Sequence, residues 1–188
     1  MKTLAYCRLG LTALFATFAV AQVAQATTYP VTFNYLTESA TVASPLTGGD
    51  TLFLDTLVTT ETGMLDQAIT FTVGPTVGSF SAVAAWAVDT AAGAGPRLTG
   101  VNIDLLDSLN NVVASDTFLG ILGGFAHSTF TGSIGPGMYK LVATGTGVRT
   151  SSLDVSMTFA NAVPEPETYA MMLAGLALLG VAMRRKLK

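Results

Sequence analysis

Gln67-Ala68-Ile69-Thr70-Phe71-Thr72-Val73 is the stretch whose reading decides the fold. Ile69, Phe71 and Val73 fall on one face, Thr70 and Thr72 on the other. That period of two is the signature of a half-buried β-strand. Gly74-Pro75 stops the run, because proline cannot donate to a ladder. The same alternation recurs downstream, where Leu153, Val155, Met157 and Phe159 interleave with Asp154, Ser156 and Thr158. Between them, Ser79 to Val88 puts Phe80, Ala82, Ala84, Trp86 and Val88 on one face. Its alanines would suit a helix, but aromatic and β-branched residues at alternate positions favour strand.

Working outward, Thr51 to Thr59 is a strand with Leu52, Leu54 and Val58 on one face. Thr27 to Leu36 begins with Val31, Phe33 and Tyr35 alternating with Thr32 and Asn34, and Glu38 to Gly49 reads as loop. Asp89 to Pro96 is an Ala/Gly-rich loop. Leu98 to Leu106 and Asn111 to Phe118 form a hairpin through Asp107-Ser108-Leu109-Asn110, residues that suit a turn. Glycines interrupt Gly120 to Gly124, and Phe125 to Thr131 is a weaker strand. Gly135-Pro136-Gly137 turns the chain into a strand from Met138 to Thr144. Some eight short strands separated by turns predict an all-β fold, an antiparallel, jelly-roll-like β-sandwich over residues 27–162.

The two ends have a different character. Lys2 and Arg8 precede an apolar run from Leu9 to Val23, and Ala24-Gln25-Ala26 has the small-x-small form of a cleavage site. Residues 1–26 therefore read as a secretory signal peptide, cut after Ala26 or, failing that, after Ala21. Cys7 precedes the apolar stretch, so it does not fit a lipoprotein signal and leaves with the peptide. At the other end, residues 163–188 read VPEPETYAMMLAGLALLGVAMRRKLK. Pro164 and Pro166 enforce an extended segment around Glu165. The uncharged run from Tyr169 to Met183 favours helix and would reach about 22 Å at ~1.5 Å per residue. A full crossing takes about 20 residues, so the run is short for a permanent transmembrane helix unless the stems of Arg184 and Lys186 lengthen it. Arg184, Arg185 and Lys186 form a basic stop that belongs on the cytoplasmic side, leaving everything before Tyr169 outside.

With both ends removed, the body carries three basic residues and ten acidic ones, a formal charge of −7. It has no basic patch, which argues against nucleic acid as a partner. It has no cysteine either, so the exported domain relies on its core rather than on disulfides.

Pro164-Glu165-Pro166, a hydrophobic helix and Arg184-Arg185-Lys186 in that order resemble the PEP-CTERM sorting signal. The resemblance implies recognition at Pro164-Glu165-Pro166 by the membrane protease exosortase and removal of the tail. The implied setting is the surface or extracellular matrix of a Gram-negative bacterium that makes exopolysaccharide and biofilm, with exopolysaccharide as a partner. The body is also similar to a subgroup named for an FxDxF motif. Phe53-Leu54-Asp55-Thr56-Leu57 is the nearest match, with Leu57 in place of the second Phe. Gly137-Met138-Tyr139-Lys140-Leu141 is similar to a late strand of such proteins. Strand period puts Phe53, Asp55 and Leu57 on one face, where the carboxylate needs a hydrogen-bond partner or water.

Candidate chemistry in the body is sparse. His127 is the single histidine, which rules out multi-His and Cys-His arrangements, and no nucleophile elbow accompanies it. Asp104 and Asp107 are a carboxylate pair of the kind glycosidases use, or a calcium site with Asn110 and Asn111. The plainer reading, that they solvate the hairpin end, is preferred. Trp86 would make a sugar-stacking platform, but its register with Phe80, Ala84 and Val88 favours the core. The expectation is a non-enzymatic exported protein, with no catalytic residues, metal site or cofactor. A glycan-binding module or adhesin is the alternative, and a hydrolase is the least supported.

Overall fold

The computed structural model describes residues 25–58, 61–88, 97–163, 170–177 and 179, and of Leu57 and Val58 it describes the backbone only. The described strands are β1 (Thr28–Phe33), β2 (Thr37–Thr41), β3 (Thr51–Val58), β4 (Gly63–Val73), β5 (Val77–Ala87), β6 (Leu98–Asp107), β7 (Val112–Ser115), β8 (Thr117–Leu122), β9 (Phe125–Ser133), β10 (Gly137–Gly147) and β11 (Ser151–Asn161). They form a six-stranded sheet in the order β1-β3-β11-β5-β9-β8 and a five-stranded sheet in the order β2-β4-β10-β6-β7. The inner faces of the two sheets meet in one core, as in a sandwich.

The sheets are mixed rather than purely antiparallel. β1 pairs with β3 and β2 pairs with β4 in parallel, while the other strand pairs are antiparallel. Parallel neighbours require a crossover connection, and here each crossover is a visit to the opposite sheet. The chain leaves β1, lays down β2 in the second sheet and returns to β3 beside β1. It then goes from β2 by way of β3 to β4. No hairpin-centred reading of the sequence anticipates this weave.

Two further boundaries differ from expectation for local reasons. Residues 37–41 form an edge strand instead of a loop. They carry no large apolar side chain, yet their backbone pairs with residues 66–70 of β4. Glu38 shapes the corner before them, accepting the amides of Asn34 and Tyr35 at 2.9 and 3.2 Å. That corner turns Tyr35 into solvent and Leu36 inward. The expected strand 111–118 splits at Asp116, where the chain changes sheets between β7 and β8. Asp116 locks this bend to β6: its carboxylate accepts the Ile103 amide, and its own amide donates to the Ile103 carbonyl, both at 2.9 Å.

The core is built by the alternating strands. Leu52, Leu54, Phe80, Trp86, Phe130, Leu153, Val155, Met157 and Phe159 project from the first sheet; Ile69, Phe71, Ile103, Leu105 and Leu141 project from the second. Phe71 meets Phe159 edge-on across the gap, with ring centroids 5.7 Å apart, a preferred aromatic geometry. One polar link crosses the same interior. Thr56 Oγ1 donates to Gln67 Oε1 at 2.7 Å, and Gln67 Nε2 donates to the Tyr35 carbonyl at 2.8 Å. Gln67 is 0% exposed, so an apolar replacement strands its partners without water.

Gln67→Leu is expected to destabilise the fold by about 1–3 kcal/mol, because the buried Thr56 hydroxyl loses its partner and the Tyr35 carbonyl loses its donor. Adding Thr56→Val should recover part of that loss by removing one stranded hydroxyl. Urea unfolding of the two single variants and the double variant checks this; additive losses would contradict it.

Candidate functional site

The end of β11 is where the body hands over to the C-terminal signal. Its last residues are clasped from two sides. On one side the Gly49 amide donates to the Phe159 carbonyl at 2.7 Å, and the Phe159 amide donates to the Asp50 carbonyl at 2.9 Å. Gly49 has a φ of 98°, which glycine adopts without a steric penalty. Neighbouring Gly48 lies directly against the Asn161 side chain and has no room for one of its own. On the other side the Ala162 amide donates to the Thr76 carbonyl at 2.8 Å. A β-carbon on Gly78 would stand 2.6 Å from the Ala162 Cα, so this close approach also depends on glycine. Beyond the clasp, Val163 is 83% exposed. The body is therefore structurally finished at Ala162.

Pro164, Glu165 and Pro166 lie outside the described residues, as do Ala24, Arg184, Arg185 and Lys186. Residues 170–177 and 179 are helical and exposed, in agreement with the helix expected there. Among the described residues no helix is long and apolar enough to cross a membrane.

On the outer face of the first sheet, register makes a row that local reading of the sequence misses. Asp55 on β3 lies directly opposite Asp154 on β11. Asp154 lies opposite Ala85 on β5, and Ala85 opposite His127 on β9. Two carboxyl groups thus meet side by side, with Phe53 partly buried on the same face of β3. Partial burial holds the Asp154 carboxyl above the usual carboxylate range; repulsion from Asp55 and a hydrogen bond between the two side chains push it the same way. His127 stands two strands from Asp154, about 10 Å by strand spacing, with Ala85 between them. Its sequence neighbour Ser128 is buried on the opposite face. Both aspartates were visible as outward residues, but their pairing depends on which strand lies beside which.

Asp104 and Asp107 do not converge. Asp107 Oδ1 accepts the amides of Leu109 and Asn111 at 2.8 and 2.9 Å, and its Oδ2 accepts Asn111 Nδ2 at 3.0 Å. The Asn111 side chain first, then its amide, hold this carboxyl below the usual range. Asn110 takes the left-handed conformation, φ 62°, that the turn requires. Asp104 is engaged separately, by Asn102 Nδ2 at 2.6 Å and Ser115 Oγ at 2.5 Å. Both carboxylates serve the hairpin. Among the described residues no group of three or more His, Cys, Asp or Glu is arranged to hold a metal ion.

Trp86 is 5% exposed and belongs to the core. One side of it also walls an apolar cleft of about 740 Å³ at the end of the sandwich, shared with Val88, Leu98, Val101, Phe118 and Ile121. Phe118 is 58% exposed, and its ring centroid lies 6.3 Å from that of Trp86.

Comparison with known proteins assigns the C-terminal segment. Residues 162–186 match the PEP-CTERM protein-sorting motif. The chain thus carries the export-linked sorting motif that exosortase processes, and the match begins at the residue where the β11 clasp ends. No curated protein matches the chain. Among solved structures, it is similar to the pre-peptidase C-terminal domain of a collagenase from Bacillus anthracis. That likeness has 13% identity and a TM-score of 0.30, covering 72% of this chain and 96% of the other.

The Asp55–Asp154 pair has a pH signature. A native carboxyl with a raised pKa binds its proton more tightly than the unfolded chain does, so the pair's cost is present near neutrality and disappears as pH falls through the raised value. Asp154→Asn is expected to raise stability at pH 7 by up to about 1 kcal/mol, the scale of a cross-strand pair. The gain should shrink toward zero near pH 3, where the raised Asp154 carboxyl holds its proton in the folded chain. Thermal unfolding at the two pH values checks this; an equal effect at both would exclude the charge explanation.

Proposed function

We propose that this chain is an exported structural protein of the cell surface or extracellular matrix, released from a membrane-held precursor by exosortase. Its setting is an exopolysaccharide-rich, biofilm-forming Gram-negative bacterium, and its body works without catalysis. The observation that carries the reading is the junction. The last strand ends in a clasp at Ala162, and the sorting motif begins at that residue. Loss of everything beyond residue 163 removes no described strand and no described core residue. The signal peptide at residues 1–26 supplies export, and the transmembrane sorting helix with Arg184, Arg185 and Lys186 holds the precursor until it is cut. Placement in the FxDxF subgroup is part of the same reading, supported by Phe53 and Asp55 sharing the outer face of β3.

A glycan-binding or adhesin role is the second reading. The observation favouring it is the exposed Phe118 beside Trp86 at the mouth of the apolar cleft, since aromatic faces suit the apolar faces of sugars. A glycan array with wild type and Phe118→Ala discriminates: binding lost in the variant selects this reading over a purely structural one.

Replacing Pro164, Glu165 and Pro166 with Ala lets helix propagate outward and removes both the extended shape and the charge. In a host with the matching exosortase, the triple variant should accumulate as a full-length, membrane-held precursor of normal fold, and wild type as a tail-free product. Immunoblots of membrane and released fractions check this; identical processing of the two would reject the sorting role of these residues.

A further inference from the structure

Asp50 is 2% exposed and sits at the start of β3. Its Oδ2 accepts the Thr47 amide at 2.7 Å and the Thr47 hydroxyl at 2.9 Å. Its Oδ1 accepts the backbone nitrogen of Thr27 at 2.9 Å. Every one of these donors is neutral in the uncut chain, so the buried carboxylate is hydrogen-bonded through both oxygens but has no positive charge among these partners. Thr27 is held at its other end too, since its carbonyl accepts the Thr51 amide at 2.9 Å. The nitrogen that Asp50 holds is thus fixed from both sides, while residues 25–28 remain exposed.

We propose that Asp50 is a receptor for the chain's own new N-terminus: cleavage between Ala26 and Thr27 turns a neutral hydrogen bond into an ion pair that locks the mature fold. The inference rests on reading Ala24-Gln25-Ala26 as the signal cleavage site. Hydrolysis of the Ala26–Thr27 bond consumes one water. Its oxygen goes to the Ala26 carbonyl carbon, which leaves as a carboxylate, and the Thr27 nitrogen takes up protons to become an ammonium. The nitrogen keeps its place 2.9 Å from Oδ1, and a contact charged on the acceptor alone becomes charged on both sides. Cleavage after Ala21 would leave an amide at Thr27 and no such pair.

The location gives the pair its effect. Asp50 also accepts the Phe159 amide through its main-chain carbonyl, so the residue that receives the N-terminus also clasps the last strand ahead of the sorting motif. Titratable groups are scarce around it. β1 contributes Tyr29, which packs against the core, and residues 42–49 and 158–162 contribute none.

The ammonium's pKa is raised by its partner, so its stabilisation is complete below the unfolded value of about 8 and is lost as pH rises through the higher folded value. The test uses the exported, processed protein. Intact mass first establishes whether the mature chain begins at Thr27. Wild type is then compared with a variant carrying one extra alanine inserted after Ala26, which displaces the ammonium by about one Cα step, ~3.8 Å. Wild type should have a folding equilibrium constant roughly tenfold larger at pH 7. The advantage should fade as pH rises from about 8 through about 9, a tenfold difference being one pKa unit. Asp50→Asn should abolish the difference; if that variant does not fold, the inserted chain alone carries the comparison. A mature chain that begins elsewhere overturns the proposal together with the cleavage reading. A chain that begins at Thr27 but unfolds like the inserted variant at every pH overturns the ion pair alone.

Discussion

The pairing of β11 between β3 and β5 is the constraint on which the rest of the structure depends. The last strand of the body is an interior strand of the six-stranded sheet, bonded along both edges. Leu153, Val155, Met157 and Phe159 fill the middle of the core from it. Until β11 is in place, the β1–β3 pair and the β5–β9–β8 set of this sheet stay unjoined. Contacts of this sequence separation form late and carry a loop-closure cost. The arrangement also separates the two tasks of the C-terminus. β11 and its clasp run to Ala162, and the sorting motif takes over from that residue.

Both chain junctions leave the sandwich at one end. Asp50 holds Thr27 with its carboxylate and Phe159 with its carbonyl, so entry at Thr27 and exit into the sorting motif flank a single residue. The outward faces of the sheets carry many Thr and Ser residues and few charges. In the β6–β7 hairpin, Asp107 is taken up by the turn and Asp104 by Asn102 and Ser115 on the two strands.

Strand identity was legible wherever one face is apolar and the other polar, as in β4, β5, β10 and β11. Burial of Ile69, Phe71, Val73 and of Leu153 through Phe159 at alternate positions matches that pattern directly. The features that the sequence did not reveal have a common cause: they depend on neighbours distant in the chain. β2 has no large apolar side chain to announce it and exists through its pairing with β4. The break at Asp116 and the parallel pairs arise from sheet switching, which leaves no local periodicity. Gln67 shares a face with Ile69, yet its role as a polar link depends on Thr56 and the Tyr35 carbonyl opposite. The meeting of Asp55 with Asp154, and of Asp50 with Thr27, is likewise a matter of register. The sorting segment was readable because its information is linear, an ordered series of turn, apolar run and basic end.

The central claim is that the C-terminal segment is an address removed from a finished domain. The intact mass of the wild-type mature protein, isolated from a native host that carries exosortase, tests it most directly. The account predicts a species whose sequence ends upstream of Tyr169, with the body through Ala162 complete. A mature protein that still carries Leu187 and Lys188 would contradict it and leave the segment as a plain membrane anchor.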